Sequence, residues 1–164
     1  MITIRQALTE QECAQAYAIE SQVYPPEAAA SAEAFKFRLH TFGAYFLVAV
    51  TDSGHIVGVT NGVRLHHAHL ADDSIKQTAD SAVDGAYFCI LTIAVHPEFQ
   101  RQGIASALLT HVIQQAKEDQ LLQIVLMCEE HLIGYYEKHG FHYVSPSSSA
   151  HGGIQWHEMG LNLK

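Results

Sequence analysis

Cysteine is scarce in this chain. Cys13, Cys89 and Cys128 are its three cysteines among 164 residues, an odd number without CxxC spacing, which argues against a disulfide framework or a zinc knuckle and fits a reducing compartment. Long apolar runs are missing as well. No stretch approaches the roughly 20 apolar residues of a membrane span, and Met1-Ile2-Thr3-Ile4-Arg5 has no basic segment ahead of an apolar run, so the expectation is a cytoplasmic protein, neither secreted nor membrane-inserted. Basic residues are few: nine Lys and Arg stand against seventeen Asp and Glu, a formal net charge of −8. Such a chain is repelled on average by nucleic acid and anionic lipid, and a cationic small molecule is the easier partner. What is present is an ordinary core-forming composition, 48% hydrophobic, enough for one domain spanning residues 1–164 without staples.

Along the chain, residues 2–6 alternate as a short strand would, and Thr9 and Glu12 stand at capping-box spacing before a helix. Tyr24-Pro25-Pro26 stops that helix, because proline lacks the amide hydrogen and restricts its predecessor. Ser31 can cap a second helix carrying Phe35, Leu39 and Phe42. Two β-prone runs between Tyr45 and Arg64 flank Asp52-Ser53-Gly54, the chemistry of a hairpin turn. Residues 65–85, with His66, His67, His69 and several aspartates, read as a surface insertion holding at most a turn or two of helix. Ala86–Val95 is a nearly continuous apolar run, fit for a strand buried on both faces. After Gly103 the apolar spacing predicts an amphipathic helix to about Asp119. Leu121–Cys128 reads as a buried strand, His131–His139 as a short helix stopped by Gly140, and Phe141–Val144 and Ile154–Leu163 as strands about a Ser-rich loop. The order predicts a mixed α/β fold, hairpins at both ends and a strand-helix-strand unit between them.

The chemically informative stretch is Ile93-Ala94-Val95-His96-Pro97-Glu98-Phe99-Gln100-Arg101-Gln102-Gly103-Ile104-Ala105-Ser106, where a buried strand turns into a helix start. The first amides of a helix lack intrahelical acceptors and sit at the positive end of its dipole, so they suit a pyrophosphate. Gly103 lets backbone approach an anion without a Cβ in the way, Ala105 keeps the approach narrow, and Ser106 offers a hydroxyl. Alone, Q-x-x-G-x-A equally describes an ordinary strand-to-helix turn.

Two features change its weight. Gln100–Ala105 resembles the R/Q-x-x-G-x-G/A acyl-CoA loop of the GNAT superfamily, and Tyr135-Tyr136-Glu137-Lys138-His139-Gly140-Phe141 resembles that superfamily's Y-E-K-x-G-F segment, in the same order and with a strand between. The likeness is closest to the arylalkylamine (serotonin) N-acetyltransferase branch, through Ala94–Gly103, Leu126-Met127-Cys128-Glu129 and Tyr136-Glu137-Lys138, over about Ala86 to Val144. It implies a GNAT fold: a mostly antiparallel sheet of about seven strands, helices on both faces, and two middle strands that splay. It also implies acetyl-CoA as co-substrate and no metal, main-chain pairing of Ile93, Ala94 and Val95 with the pantetheine arm, phosphate binding around Gln102–Ser106 with Gln100 and Arg101 beside it, and Tyr136 as hydrogen-bond donor to the departing thiolate.

One departure bears on mechanism. That branch places two histidines on the strand before the loop to take protons from the ammonium substrate, and alignment puts Cys89 and Leu91 there. Leu91 takes no proton, and a thiol on a buried apolar strand is a poor base, so Cys89 reads as core. The remaining candidates for a base are Glu20, Glu129, His66, His67 and His69, each of a type more often found as a solvated surface group. The histidine spacing matches neither a zincin nor a finger. His96 reads as a cap of the strand end, Lys138 and His139 as partners of a helix dipole, and Tyr135 as packing.

The expected activity is direct acetyl transfer from acetyl-CoA to a primary amine, small and arylalkyl in type, with a homodimer compatible. A protein or peptide acceptor, a lysine side chain, a polyamine or an amino acid stays open, since residues 17–42 and 60–85, expected to form the acceptor pocket, match least. A non-catalytic acyl-CoA-binding module is the rival from another class. A P-loop is disfavoured by the missing G-K-[ST] ending after Gly103.

Overall fold

A computed structural model describes residues 1–68, 81–147 and 151–164. Local chemistry explains most element boundaries. Strand β1 (Ile2–Gln6) is followed by helix α1 (Glu10–Val23), where the Thr9 side chain accepts the Glu12 amide at 3.1 Å. Helix α2 (Ala32–Thr41) begins at Ser31, whose hydroxyl accepts the Ala34 amide. Both caps satisfy donors that the first helical turn leaves open. Strands β2 (Leu47–Thr51) and β3 (Ile56–Leu65) form the expected hairpin, and β4 (Tyr87–Val95) leads through a 3-10 turn at Pro97–Phe99 into helix α3 (Ile104–Glu118). Then come β5 (Gln123–Cys128), helix α4 (Ile133–Lys138), β6 (His142–Pro146) and β7 (His157–Asn162). The final two strands sit a few residues from their sequence-read positions, and the expected helix at 131–139 divides into a 3-10 turn, Glu130–Leu132, and α4. Of the insertion, residues 69–80 lie outside the described residues.

The seven strands make one sheet in the order β1-β2-β3-β4-β5-β7-β6, with every pairing antiparallel except β4 with β5. Period-2 alternation divides the core into two layers. On β2, Val48 and Val50 face Ala16, Ile19 and Phe35 of α1 and α2, whereas Leu47 and Ala49 face Ile104, Leu108 and Val112 of α3. Leu108 is fully buried, and its truncation to Ala is expected to cost about 2–5 kcal/mol.

Strand β4 breaks the alternation once. Phe88 and Ile90 lie with α3, and so do Ile93 and Val95, while Cys89, Leu91 and Ala94 lie on the opposite face. From Ile90 to Ile93 is an odd step, which requires one extra residue. The register supplies it: Asn61 pairs with Thr92 but Gly62 pairs with Ile90, leaving Leu91 as a bulge. Gly62 permits this approach, since a Cβ there would lie 2.0 Å from the Cys89 carbonyl oxygen. At the residue before the bulge the parallel pairing with β5 stops, at Ile90 and Leu126, although β4 continues to Val95 and β5 to Cys128. The middle of the sheet therefore opens.

Candidate active site

The opening exposes a defined set of main-chain groups. The His96 amide bonds the Val57 carbonyl at 2.8 Å, and hydrogen-bonded pairs alternate along an antiparallel ladder. Ala94, paired with Val59, therefore directs its amide and carbonyl to β3, while Ile93 and Val95 direct theirs to the side that β5 has left. Two side chains reach those carbonyls: the Tyr24 hydroxyl donates to Ile93 O at 3.3 Å, and Gln100 Nε2 donates to Val95 O at 3.1 Å. Of the three strand residues picked out in the sequence, Ala94 lines the opening but its backbone is engaged elsewhere.

A cavity of about 620 Å³ fills the gap. One wall is the turn into α3, with Gln100, Arg101, Gly103, Ile104, Ala105 and Ser106 all bordering it. Gln102 is exposed and does not border it. Arg101 and Gly103 both have positive φ, 65° and 81°. At Gly103 a Cβ would meet no protein atom within 4 Å, so within the chain itself the need for glycine is conformational rather than steric. The first intrahelical bond is from the Ala107 amide to Gly103 O, at 3.0 Å, and no side chain caps the helix start. The amides of Ile104, Ala105 and Ser106 thus lack i−4 acceptors at the positive end of a 15-residue helix. The Ser106 hydroxyl lies 3.0 Å from Tyr135 OH and 3.1 Å from His139 Nε2. Tyr135 and His139, read in the sequence as packing and dipole partner, instead form a polar cluster with Ser106, and Tyr135 borders the cavity. His96 caps the 3-10 turn rather than the strand end, its Nδ1 accepting the Glu98 amide at 3.1 Å.

Tyr136 and Tyr24 stand on the remaining walls. Burial pushes the Tyr136 phenol well above its ordinary range, helped by the neighbouring Tyr24, Cys128 and Tyr135. Tyr24 is raised in the same direction by burial and then by Glu20 and Glu129. Both phenols hold their protons throughout the neutral range. Tyr24 is not legible as a site residue in the sequence, where Tyr-Pro-Pro reads as a helix stop; it is the C-cap of α1, and only the fold brings its hydroxyl to β4.

The candidate bases separate. Glu20 is fully buried, its carboxylate accepting the Ala30 amide at 2.5 Å and the Thr92 hydroxyl; it is not a solvated group. Glu129 is half-buried and borders the cavity. His66 pairs with Asp84 at 3.4 Å on the surface, and neither it nor His67 borders the cavity; His69 lies outside the described residues. Cys89 is 1% exposed, in the cluster that also holds Leu91, Phe42 and Val125. Among the described residues no group of three or more His, Cys, Asp or Glu is arranged to hold a metal, and no helix is long and apolar enough to cross a membrane.

A sheet that parts beside a positive-φ turn and an uncapped helix start is suited to an anionic, amide-bearing ligand, and comparison with known proteins gives the family. The chain belongs to the acetyltransferase (GNAT) family, whose model matches residues 7–141. Over 73 residues it is 34% identical to the serotonin N-acetyltransferase of Mesocricetus auratus, a stretch covering 44% of this chain and 35% of that protein; the similarity thus spans about a third of the relative's length. Among solved structures, the loading GNATL domain of CurA from Lyngbya majuscula superimposes with a TM-score of 0.85 at 12% identity, covering 99% of this chain and 98% of that one. The GphF GNAT-like decarboxylase in complex with isobutyryl-CoA superimposes at 0.84 and 18% identity, covering 99% and 100%. At these identities the structural likeness establishes the GNAT fold.

Proposed function

We propose that this protein transfers an acetyl group from acetyl-CoA to a primary amine, small and arylalkyl in character, by direct attack without an acyl-enzyme. The observation that carries the reading is the meeting, in one cavity, of the gap-facing backbone of Ile93 and Val95, the free amides of Ile104–Ser106, and the protonated phenol of Tyr136. The residues fit the co-substrate. Three unpaired amides suit a diphosphate, a strand edge whose N–H and C=O groups face the gap, its carbonyls met only by the Tyr24 and Gln100 side chains, suits an amide-bearing arm, and Val95, Phe99 and Ile104 give the cavity apolar wall. The GphF GNAT-like decarboxylase, of the same fold, was solved in complex with isobutyryl-CoA, which supports an acyl-CoA as the class of ligand.

Bound acetyl-CoA supplies an acyl thioester. The Val95 amide, with no β5 carbonyl opposite it, is a preorganised donor for the charge that develops on an acyl oxygen. Tyr136 holds a proton at its phenol oxygen and is suited to deliver it to a leaving sulfur. Glu129, at the cavity edge, is the carboxylate placed to take the ammonium proton, directly or through water. The arylalkyl preference rests on the partial likeness to serotonin N-acetyltransferase and on apolar Val23, Pro25 and Ile154 beside Tyr24.

The test is CoA release measured with arylalkylamines, polyamines, amino acids and peptides, each with product identified by mass. Turnover greatest on small arylalkylamines supports the proposal. Peptides outrunning them assigns a protein acceptor, and tight acetyl-CoA binding without turnover assigns the binding-module role that the missing strand histidines keep in view.

A further inference from the structure

Beneath the bulge, on the face away from α3, four elements meet through polar side chains the mechanism does not use. Glu20 comes from α1, Arg38 from α2, Asn61 from β3 and Thr92 from β4, and each is at most 1% exposed. Arg38 Nη1 donates to Asn61 Oδ1 at 2.8 Å and to Thr92 Oγ1 at 3.2 Å. Thr92 Oγ1 in turn donates to the Glu20 carboxylate, whose other oxygen accepts the Ala30 amide at 2.5 Å. Thr60 Oγ1 completes the set, donating to the Thr92 carbonyl at 2.8 Å. One hydroxyl therefore joins a buried cation to a buried anion.

Stability alone does not call for this arrangement. Apolar residues of similar volume commonly replace buried ion networks with no loss. What the network supplies is position. Asn61 and Thr92 are the last register partners before the β3–β4 ladder slips at Leu91, so the hydroxyl being held belongs to the residue that leaves the bulge. The next residue is Ile93, and the slip decides that Ile93 and Val95, rather than Ala94, turn their backbones to the cavity. Through Ala30, Glu20 also anchors the segment that follows Tyr24 and Pro25, which line the cavity.

We infer that Glu20 and Arg38 are positioning residues for the transfer, acting through Thr92 to hold the β4 bulge so that the Ile93 and Val95 main-chain groups stay aligned on the reacting acyl group. The inference rests on the acetyl-transfer reading. It concerns orientation, so the grip of the α3 amides on the co-substrate is untouched. Burial lowers the Arg38 guanidinium to about 10, against the opposing pull of Glu20, which leaves it cationic at neutral pH.

The test compares Thr92→Val, which keeps shape and loses the hydroxyl, with Thr92→Ser, which keeps the hydroxyl, and with Glu20→Gln. Steady-state kinetics, acetyl-CoA binding by calorimetry and amide hydrogen exchange across β4 are measured on each. Thr92→Val is expected to lose about tenfold or more in kcat, the scale of a small misalignment, with the acetyl-CoA Kd within about twofold and faster exchange at Ala94 and His96, whose amides bond β3 on either side of Val95. Thr92→Ser should recover most of the rate. A folded Thr92→Val with unchanged kcat and exchange overturns the inference, and so does a Thr92→Ser as impaired as Thr92→Val. Should Thr92→Val not fold, Glu20→Gln decides, with undiminished kcat counting against. If the unaltered protein binds acetyl-CoA but acetylates no amine, the transfer reading falls separately, and exchange at Ala94 and His96 alone judges the role of the network.

Discussion

The Tyr24 hydroxyl donates to the main-chain carbonyl of Ile93 at 3.3 Å, across 69 positions of sequence. That carbonyl faces the gap and is one of the groups proposed to pair with the pantetheine arm. In the free protein, then, a side chain holds a place that the co-substrate is expected to take. Tyr24→Phe should lower the stability of the free protein by about 1 kcal/mol, the ordinary worth of one such bond. It should also tighten acetyl-CoA binding by up to about fivefold, because only the free state loses a partner. Paired thermal melts and titration calorimetry check both signs; weaker binding would mean that the hydroxyl stays in place in the complex.

Tyr136→Phe removes a proton donor and little volume. We expect kcat to fall by about 10²-fold or more, with the acetyl-CoA KM little changed and the melting temperature preserved. An unaltered kcat would strip Tyr136 of its role while leaving the cavity intact. Glu129→Gln should lower kcat by about tenfold or more in the same steady-state assay. Intact-mass measurement after incubation with acetyl-CoA should find no adduct on buried Cys89.

Alkaline pH offers a test that needs no substrate. Tyr24, Tyr45 and Tyr136 are all raised, each mainly by burial, Tyr45 also by its 2.6 Å hydrogen bond to Asp119. A phenol whose pKa is higher folded than unfolded keeps its proton longer in the native state, so above about pH 10 the unfolded chain binds fewer protons and stability falls as pH rises. Melting temperatures from pH 8 to 11 should show no loss from these groups until the unfolded phenols ionise, then a steep decline. Tyr45→Phe should make the decline shallower.

Two glycines separate conformational from steric need. At Gly103 the backbone is left-handed at φ 81° with open space around the missing Cβ, so Gly103→Asn should be tolerated better than Gly103→Val, whose branched side chain resists that region by about 1–2 kcal/mol. At Gly62 the Cβ of any other residue would collide with the Cys89 carbonyl at 2.0 Å. Gly62→Ala should therefore disrupt the β3–β4 slip and cost more than Gly103→Ala, a comparison that urea denaturation reads directly.

Where neighbours in sequence settle a structure, the residues were legible. Thr9 and Ser31 cap α1 and α2 as their spacing requires, Asp52-Ser53-Gly54 turns β2 into β3, and the helical period after Gly103 places Leu108 and Val112 in the core. Others were not. Glu20 belongs to a class that normally sits in water, and only the meeting of α1 with β4, 72 positions away, buries it against Thr92. Tyr135 and His139 likewise took a partner, Ser106, that local pattern does not name.

By itself, the sequence determined a seven-stranded mixed fold and the strand-to-helix turn at Gln100–Ala105, because strand and helix periods, caps and the left-handed glycine act within a few residues of one another. The tertiary structure alone decided the Leu91 bulge and the parting of β4 from β5, and with them which main-chain groups face the cavity. Those depend on one residue's slip in register and on side chains from distant elements closing around Thr92, and a ladder's register is a property of two strands together, written in neither one.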